Sequence, residues 1–394
     1  MPKKFAILII LAVLLGIAAG AFLVFQSPGD NLSNTESEER DYFPFGRAGD
    51  APAPEPGEVG TLGEAGATET ANVFGAFTEL WSAPVAGFSA SGDSVRLVDR
   101  GKGHIYEIRN GSSTRLSNTT IPGIHEAVWM TPTSLLLRSL GDNEEIKTYY
   151  GEILASTTSL DGFYLQNDLE QVAVRGKSLA YLSYSAVGIL DFSKKPYAKK
   201  NIATLPLGEL ILEWPRAETF ALTTKSAHNN IGYLYFLNEK GTITKVLGNI
   251  QGLTTHASPD GSALLYANDS LTLSILETKN NVSKVLPVRT LPEKCVWSKK
   301  QASLIYCAAP EFLPSGDYPD SWYQGIVSFS DSLWKIDTKT GVATELSDNP
   351  PFDFDAIRPV LAPEEDYLYF INKKGLTLWS FKLPAAETAS STTR

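Results

Sequence analysis

The sequence predicts an all-β fold, a seven-bladed β-propeller closed by an N-terminal strand, and three observations carry that reading. Seven segments share one form, a short apolar strand, a polar turn and a strongly apolar strand: "GFSASGDSVRLVD" (from Gly87), "AVWMTPTSLLLRS" (from Ala127), "QVAVRGKSLAYLS" (from Gln171), "LEWPRAETFALTT" (from Leu212), "HASPDGSALLYAN" (from His256), "CVWSKKQASLIYC" (from Cys295) and "VLAPEEDYLYFIN" (from Val360). One column of that alignment runs Phe88, Trp129, Val172, Trp214, Ala257, Trp297, Leu361, in steps of 41, 43, 42, 43, 40 and 64 residues. Five of the six steps agree to within three residues, and about 40–45 residues is the length of a four-stranded propeller blade. Finally, "TELWSAP" at 78–84 returns as "TELSDNP" at 344–350. The folded region therefore starts with a segment that has the form of a blade's fourth strand.

The 394-residue chain opens on Met1-Pro2-Lys3-Lys4 and continues into "FAILIILAVLLGIAAGAFLVF" at 5–25, an uncharged apolar run. About 20 such residues match the hydrocarbon core of a bilayer, so residues 5–25 are expected to be a single transmembrane anchor and the protein's contact with the membrane. Lys3 and Lys4 favour a cytoplasmic position for residues 1–4, with everything after the anchor extracytoplasmic. A cleaved signal peptide is the alternative, with "AAGA" at 18–21 as a small-residue cleavage site. Residues 26–72 are rich in Pro, Gly, Ala and Glu and have little to bury, which predicts a disordered linker. Ten acids against Arg40 and Arg47 give this linker a net charge of −8. With Lys3 and Lys4 counted, the chain's −10 leaves −4 for residues 73–394. A nearly neutral folded region argues against nucleic acid as a partner. The apolar knot "DYFPFG" at 41–46 reads either as a docking peptide or as a sticky segment without a role.

Residues 73–383 show no helical periodicity, only short β-rich runs punctuated by Gly, Asn, Asp, Ser and Pro. Third and fourth strands follow each pair, most clearly in "LTLSILETKNNVSKVLP" at 271–287 and "SLWKIDTKTGVATELSDNP" at 332–350. The seventh unit supplies strands two and three in "YLYFINKKGLTLWSFKL" at 367–383, and residues 384–394 then form a polar tail expected to be disordered. Its fourth strand is missing. "FTELWSAP" at 77–84 is expected to fill that place beside "LTLWSFKL" at 376–383, which removes the one open seam of the ring. Trp129, Trp214 and Trp297 recur at one blade position and read as packing between blades.

With "SPDGSALLYANDSLTLSILETK" at 258–279 and "LWKIDTKTG" at 333–341, the chain resembles the TolB-like, WD40-like propeller repeat family of bacterial envelope proteins, loosely across residues 85–390. Only the fifth unit keeps the full Ser-Pro-Asp-Gly turn. Such propellers mostly act as protein-binding platforms, so the resemblance implies the fold and, more distantly, a protein partner in the cell envelope.

Cys295 and Cys307 are the only cysteines. A hairpin turning near residues 300–302 sets them opposite each other, where Cβ atoms lie about 4.5–5.5 Å apart, close to the reach of a disulfide. A disulfide is expected outside the cytoplasm, with two buried thiols as the alternative. The surplus of the 64-residue step lies at 308–332, between strands two and three of the sixth unit. That insert projects from the face that also carries the blade-to-blade connections at 120–126, 252–256 and 349–356. It holds Phe312, Asp317, Tyr318, Asp320, Trp322 and Tyr323, and the next connection adds Phe352, Asp353, Phe354 and Asp355. Long loops on rigid scaffolds concentrate function, and aromatic anchors among acids suit a protein or peptide partner, or a glycan. The other reading is a lid that folds over the mouth and buries its own aromatics.

No His-Glu-x-x-His, Cys-x-x-Cys pair or Gly-x-Ser-x-Gly elbow is present, and no catalytic residue or cofactor is assigned. His125 and His256 sit at blade starts on the insert's face. With Asp317, Asp320, Asp353 or Asp355 they could hold a metal, whereas hydrogen-bonded histidines are the plainer reading. The pair Asp353 and Asp355 raises a glycosidase as the alternative to a platform.

Overall fold

The computed structural model describes residues 73–385, apart from 142–144, 155–157, 166–167, 207 and 348–349. The expected anchor at 5–25, the linker with its 41–46 segment, and the tail from 386 lie outside the described residues. Among the described residues no helix is long and apolar enough to cross a membrane.

Seven antiparallel sheets follow one another along the chain. Blade 1 consists of Val85–Ser91, Ser94–Asp99, Ile105–Arg109 and Ser112–Ser117; blade 2 of Ile124–Trp129, Ser134–Leu140, Ile146–Ile153 and Leu160–Tyr164. Blades 3, 4 and 5 begin at Gln171–Arg175, Leu210–Arg216 and Thr254–Ala257, and blade 6 at Cys295–Trp297. Blade 7 contains Ala356–Leu361, Tyr367–Asn372 and Thr377–Lys382, and its fourth strand is the N-terminal Phe77–Trp81. The closure pairs Phe77 with Phe381, Thr78 with Ser380 and Glu79 with Trp379. A further two-residue strand, Val73–Phe74, folds back on the outside of Phe77–Trp81, which the sequence did not suggest.

Burial explains the ring. Second strands such as Ser134–Leu140 are buried almost throughout, whereas fourth strands such as Ser112–Ser117 and Val282–Arg289 are mostly exposed. The strands alternate apolar residues between their two faces, and each face packs on a neighbouring blade. Seven clusters of buried side chains result, one at each seam between consecutive blades, including the seam between blades 7 and 1. Trp129, Trp214 and Trp297 pack in three of these clusters. In blades 1 and 3 the first turn has only two residues. Phe88 and Val172 therefore pair with Leu97 and Tyr181, further from the turn than Trp129 pairs with Leu135. At the seam of blades 1 and 2 the inner strands run so close that a Cβ on Gly87 would lie 2.1 Å from the Ala127 carbonyl oxygen.

Cys295 and Cys307 occupy directly paired positions with Cα atoms 4.0 Å apart and form a disulfide buried in the seam between blades 5 and 6.

Candidate functional site

Residues 311–330 leave blade 6 after its second strand, turn through the short helix Asp320–Tyr323 and return to the third strand at Asp331. The insert is a lid. Tyr318, Trp322, Val327 and Phe329 join the apolar cluster that contains Val85, Phe88 and Leu97 of blade 1, Leu271 of blade 5 and Ile357 of blade 7. Polar contacts pin the lid at several places around the same face. The backbone N–H of His228, between strands two and three of blade 4, donates to Asp320 Oδ2. Tyr323 donates its hydroxyl to Glu293 Oε1 at 2.5 Å, in the turn joining blades 5 and 6. Lys373, from the second-to-third connection of blade 7, donates to the Trp322 carbonyl and lies 4.1 Å from its ring centroid.

Beneath the lid lies a buried ionic centre. Lys294 is fully buried, and its Nζ donates to Asp331 Oδ2 at 2.8 Å, Asp355 Oδ1 at 2.5 Å and the Ala356 carbonyl at 2.9 Å. Nζ also stands 5.2 Å from the ring centroids of both Trp322 and Phe329. Burying an ammonium costs several kcal/mol unless partners compensate; here burial would depress Lys294, and the two carboxylates outweigh it and raise its pKa. The second oxygen of Asp355 accepts from Trp322 Nε1 at 2.8 Å, Phe329 N at 2.9 Å and Ser328 Oγ at 3.1 Å. Burial alone would raise Asp355; the charge and hydrogen bond of Lys294, the Phe329 N–H and the charge of Lys373 outweigh it and lower its pKa. Asp331 has fewer donors, and burial pushes it up to about 6 despite Lys294. Burial lowers Lys373 to about 8.

Two further groups lie on the same face. On the acidic side, His256 Nδ1 lies 2.8 Å from Glu213 Oε1 across the seam of blades 4 and 5. Burial would lower His256, but the bond to Glu213 and the charges of Glu213 and Glu293 raise it. Burial raises Glu293, the acceptor for Tyr323. On the basic side, the first strand of blade 2 bulges between Ile124 and Glu126. A bulge re-aims side chains, and here consecutive residues serve one polar group. Glu126 accepts from Arg138 Nη1 at 2.5 Å and Arg358 Nη2 at 2.7 Å, while His125 Nδ1 lies 2.9 Å from Arg100 Nη2. Burial would raise Glu126, and the two guanidinium groups outweigh it and lower its pKa.

The structure thus separates the residues singled out in the sequence. Tyr318, Trp322 and Asp355 are buried beneath the lid, and Tyr323 is half-buried at its edge. They serve the lid's attachment, because indole and phenyl surface gains more from burial there than from standing in water. Phe354 is fully buried and Phe352 half-buried, and both pack with Phe77 in the seam of blades 6 and 7. Asp353 is exposed and paired with Lys374, while Asp355 is buried on Lys294, so the two acids do not act as a pair. Asp317 is exposed, 3.7 Å from His228 Nε2, and Asp320 is half-buried. Phe312 projects outward and is 78% exposed, with Ile326 of the same insert at 72%. His125 and His256 belong to the separate basic and acidic groups. Among the described residues no set of three or more His, Cys, Asp or Glu side chains comes together to hold a metal. Glu126, Glu213, Lys294, Asp331 and Arg358 were not singled out. The available signal was a charged residue inside or beside an otherwise apolar first strand, as in "IHEAVW" at 124–129 and "AIRPVL" at 356–361.

No family model matches the chain, and no curated protein matches it, so the TolB-like resemblance is carried by the blade grammar of the sequence alone. Among solved structures, the tricorn protease matches 73% of this chain at a TM-score of 0.39 and 13% identity, and the match spans only 28% of the protease chain. An oligogalacturonate lyase from Vibrio parahaemolyticus aligns over 78% of this chain and 94% of its own, with a TM-score of 0.53 and 11% identity. An oligogalacturonate lyase in complex with manganese gives 78%, 93%, 0.52 and 14% for the same quantities. A chain of the mitotic checkpoint complex aligns over 86% and 98%, with a TM-score of 0.53 and 13% identity. At such identities the two lyases and the checkpoint-complex chain, each with a TM-score above 0.5, bear on the fold alone, and the fold they support is the seven-bladed β-propeller.

Proposed function

We propose that this protein is a membrane-anchored, extracytoplasmic propeller of the TolB-like kind that binds a protein partner of the cell envelope through the outer surface of its lid. The observation that carries this reading is the pairing of a pinned underside with an exposed apolar exterior. Phe312 and Ile326 stand in water on a loop whose opposite side is held by Trp322, Tyr323 and Asp355. A rigid platform loses little entropy when a partner covers it, and a large exposed aromatic is a typical interface anchor. The anchor at 5–25 and the linker at 26–72 supply the tether, and the buried disulfide suits an oxidising compartment. A propeller fold is compatible with such a platform.

Replacing the whole insert would strip Tyr318, Trp322 and Phe329 from the core, so the test changes only its outer surface. Affinity capture from envelope extract with the intact chain is compared with a Phe312→Ser, Ile326→Ser variant of unchanged melting temperature. A protein held by the first and lost by the second supports the platform. Equal capture by both, or none by either, removes it.

A second reading, an envelope enzyme or lectin-like module acting on glycan or peptide, draws support from the acidic group. Glu293, raised by burial and hydrogen-bonded to Tyr323, stands near His256 and Glu213, a set able to hold and release a proton. Oligogalacturonate lyases share the fold, which motivates including acidic oligosaccharides among the substrates assayed. Turnover that survives Glu293→Gln would rule this group out as its source.

A further inference from the structure

The basic group on the lid-bearing face is out of balance. Arg100, Arg138 and Arg358 come together from blades 1, 2 and 7, and Glu126 bonds both Arg138 and Arg358. Arg100 is half-buried in the second-to-third connection of blade 1. Its guanidinium contacts His125 Nδ1, and no carboxylate among the described residues lies within ion-pair distance of it. Burial lowers its pKa, and the charge of Arg358 lowers it further. Accepting from Arg100 leaves His125 Nδ1 without a proton, so its tautomer carries N–H on Nε2. Arg358 is held by unusual backbone: φ is 51° and the strand bulges between Ile357 and Val360, which carries the guanidinium to the Ala86 carbonyl at 3.3 Å as well as to Glu126. Left-handed backbone at a non-glycine residue is costly and concentrates at functional sites. Guanidinium groups with too few carboxylates are complementary to an oxyanion, which they bind through charge-assisted and often bidentate bonds.

We propose that Arg100, His125 and Arg358 form a binding site for a small oxyanion, a carboxylate or phosphate group, where blades 7, 1 and 2 meet on the lid-bearing face. The site does not depend on the platform reading, since Phe312 and Ile326 take no part in it. Glu126 and Arg138 position Arg358, and Arg100 supplies a charge that no carboxylate among the described residues neutralises.

The test is isothermal titration calorimetry of the full chain with inorganic phosphate and, separately, with acetate and glutarate, at constant ionic strength so that general screening cancels. Arg100→Gln is the variant of choice because it removes one side-chain hydrogen bond and one desolvated cation, and Arg100→Lys retains the charge without the planar fork. Saturable binding of phosphate or of a carboxylate, weakened about tenfold or more in Arg100→Gln, is expected, and the probe that binds decides the ligand class. Binding of neither class overturns the proposal. So does binding that Arg100→Gln leaves unchanged, or an Arg100→Gln protein that melts lower without any anion, which would show that the arginine serves the fold.

Discussion

Glu126 shows how much one side chain carries at the inner edge of a blade. It is 13% exposed and bonds two arginines from two blades. Removing one partner of a buried ion pair leaves the other charge uncompensated and costs about 3–5 kcal/mol. Glu126→Gln is therefore expected to lose stability of that order near neutral pH, read by chemical denaturation. The pH dependence follows from the direction of the shift. The folded-state pKa lies below the ordinary 4.5, so between those two values the unfolded chain binds more protons than the native one. The contribution of Glu126 is present in full above about pH 4.5 and is lost as pH falls through the folded value. The stability difference between wild type and Glu126→Gln should shrink on acidification; a difference constant from pH 7 to 3 would contradict this account. The letters around 126 offered only a charged residue in an apolar strand and nothing of its partner, because Arg358 is 232 residues away in the sequence and meets Glu126 only when the ring closes.

At the scale of elements, the lid and the disulfide hairpin make separate predictions. Trp322 is fully buried, donates to Asp355 and covers Lys294. Trp322→Ala should cost about 3–5 kcal/mol, as large aromatic truncations do. It should also make residues 311–330 sensitive to brief proteolysis while the blades resist. An intact lid in that variant would mean the insert is held by other contacts. The disulfide spans a sequence separation of 12 residues. Closing a loop of that size stabilises by about 3 kcal/mol in the chain-entropy view, so a Cys295→Ala, Cys307→Ala double variant should melt lower than the oxidised protein. An unchanged melting temperature would show that the bond adds nothing to its seam. These two elements differ in how well the sequence revealed them. The cysteines were legible because strand pairing places residues by counting alone. The insert's position and face were legible for the same reason, but its inside and outside were not. Phe312 and Trp322 are both aromatic and ten residues apart, and only the packing of the lid on Leu271, Leu291 and Ile371 sends one outward and the other in.

The molecule as a whole is a closed repeat, and closure should distinguish it from an open one. In a linear array each unit contacts only its neighbours, and damage at one end stays there. Here the last blade takes its fourth strand from the N-terminal side, so the seam of blades 7 and 1 joins the two ends of the fold. The ring was legible from its 40-to-43-residue rhythm and from the echo of "TEL" at its two ends, since strand period and turn chemistry are local properties. Phe77 is the test of closure. Its ring lies 4.7 Å from Phe381, 5.5 Å from Phe354 and 6.4 Å from Phe370, centroid to centroid, inside the seam of blades 6 and 7. Phe77→Ala should cost about 3–5 kcal/mol and loosen the strand that locks the ring. If the seven seams form one cooperative unit, calorimetry will show a single transition at lower temperature, and hydrogen exchange will quicken in the buried second strands of blades far from the substitution, such as Thr219–Thr224. If the blades are stable on their own, faster exchange will be confined to blade 7 and its seams while Thr219–Thr224 keeps its protection. That second result would mean the N-terminal strand protects an exposed edge without holding the ring together.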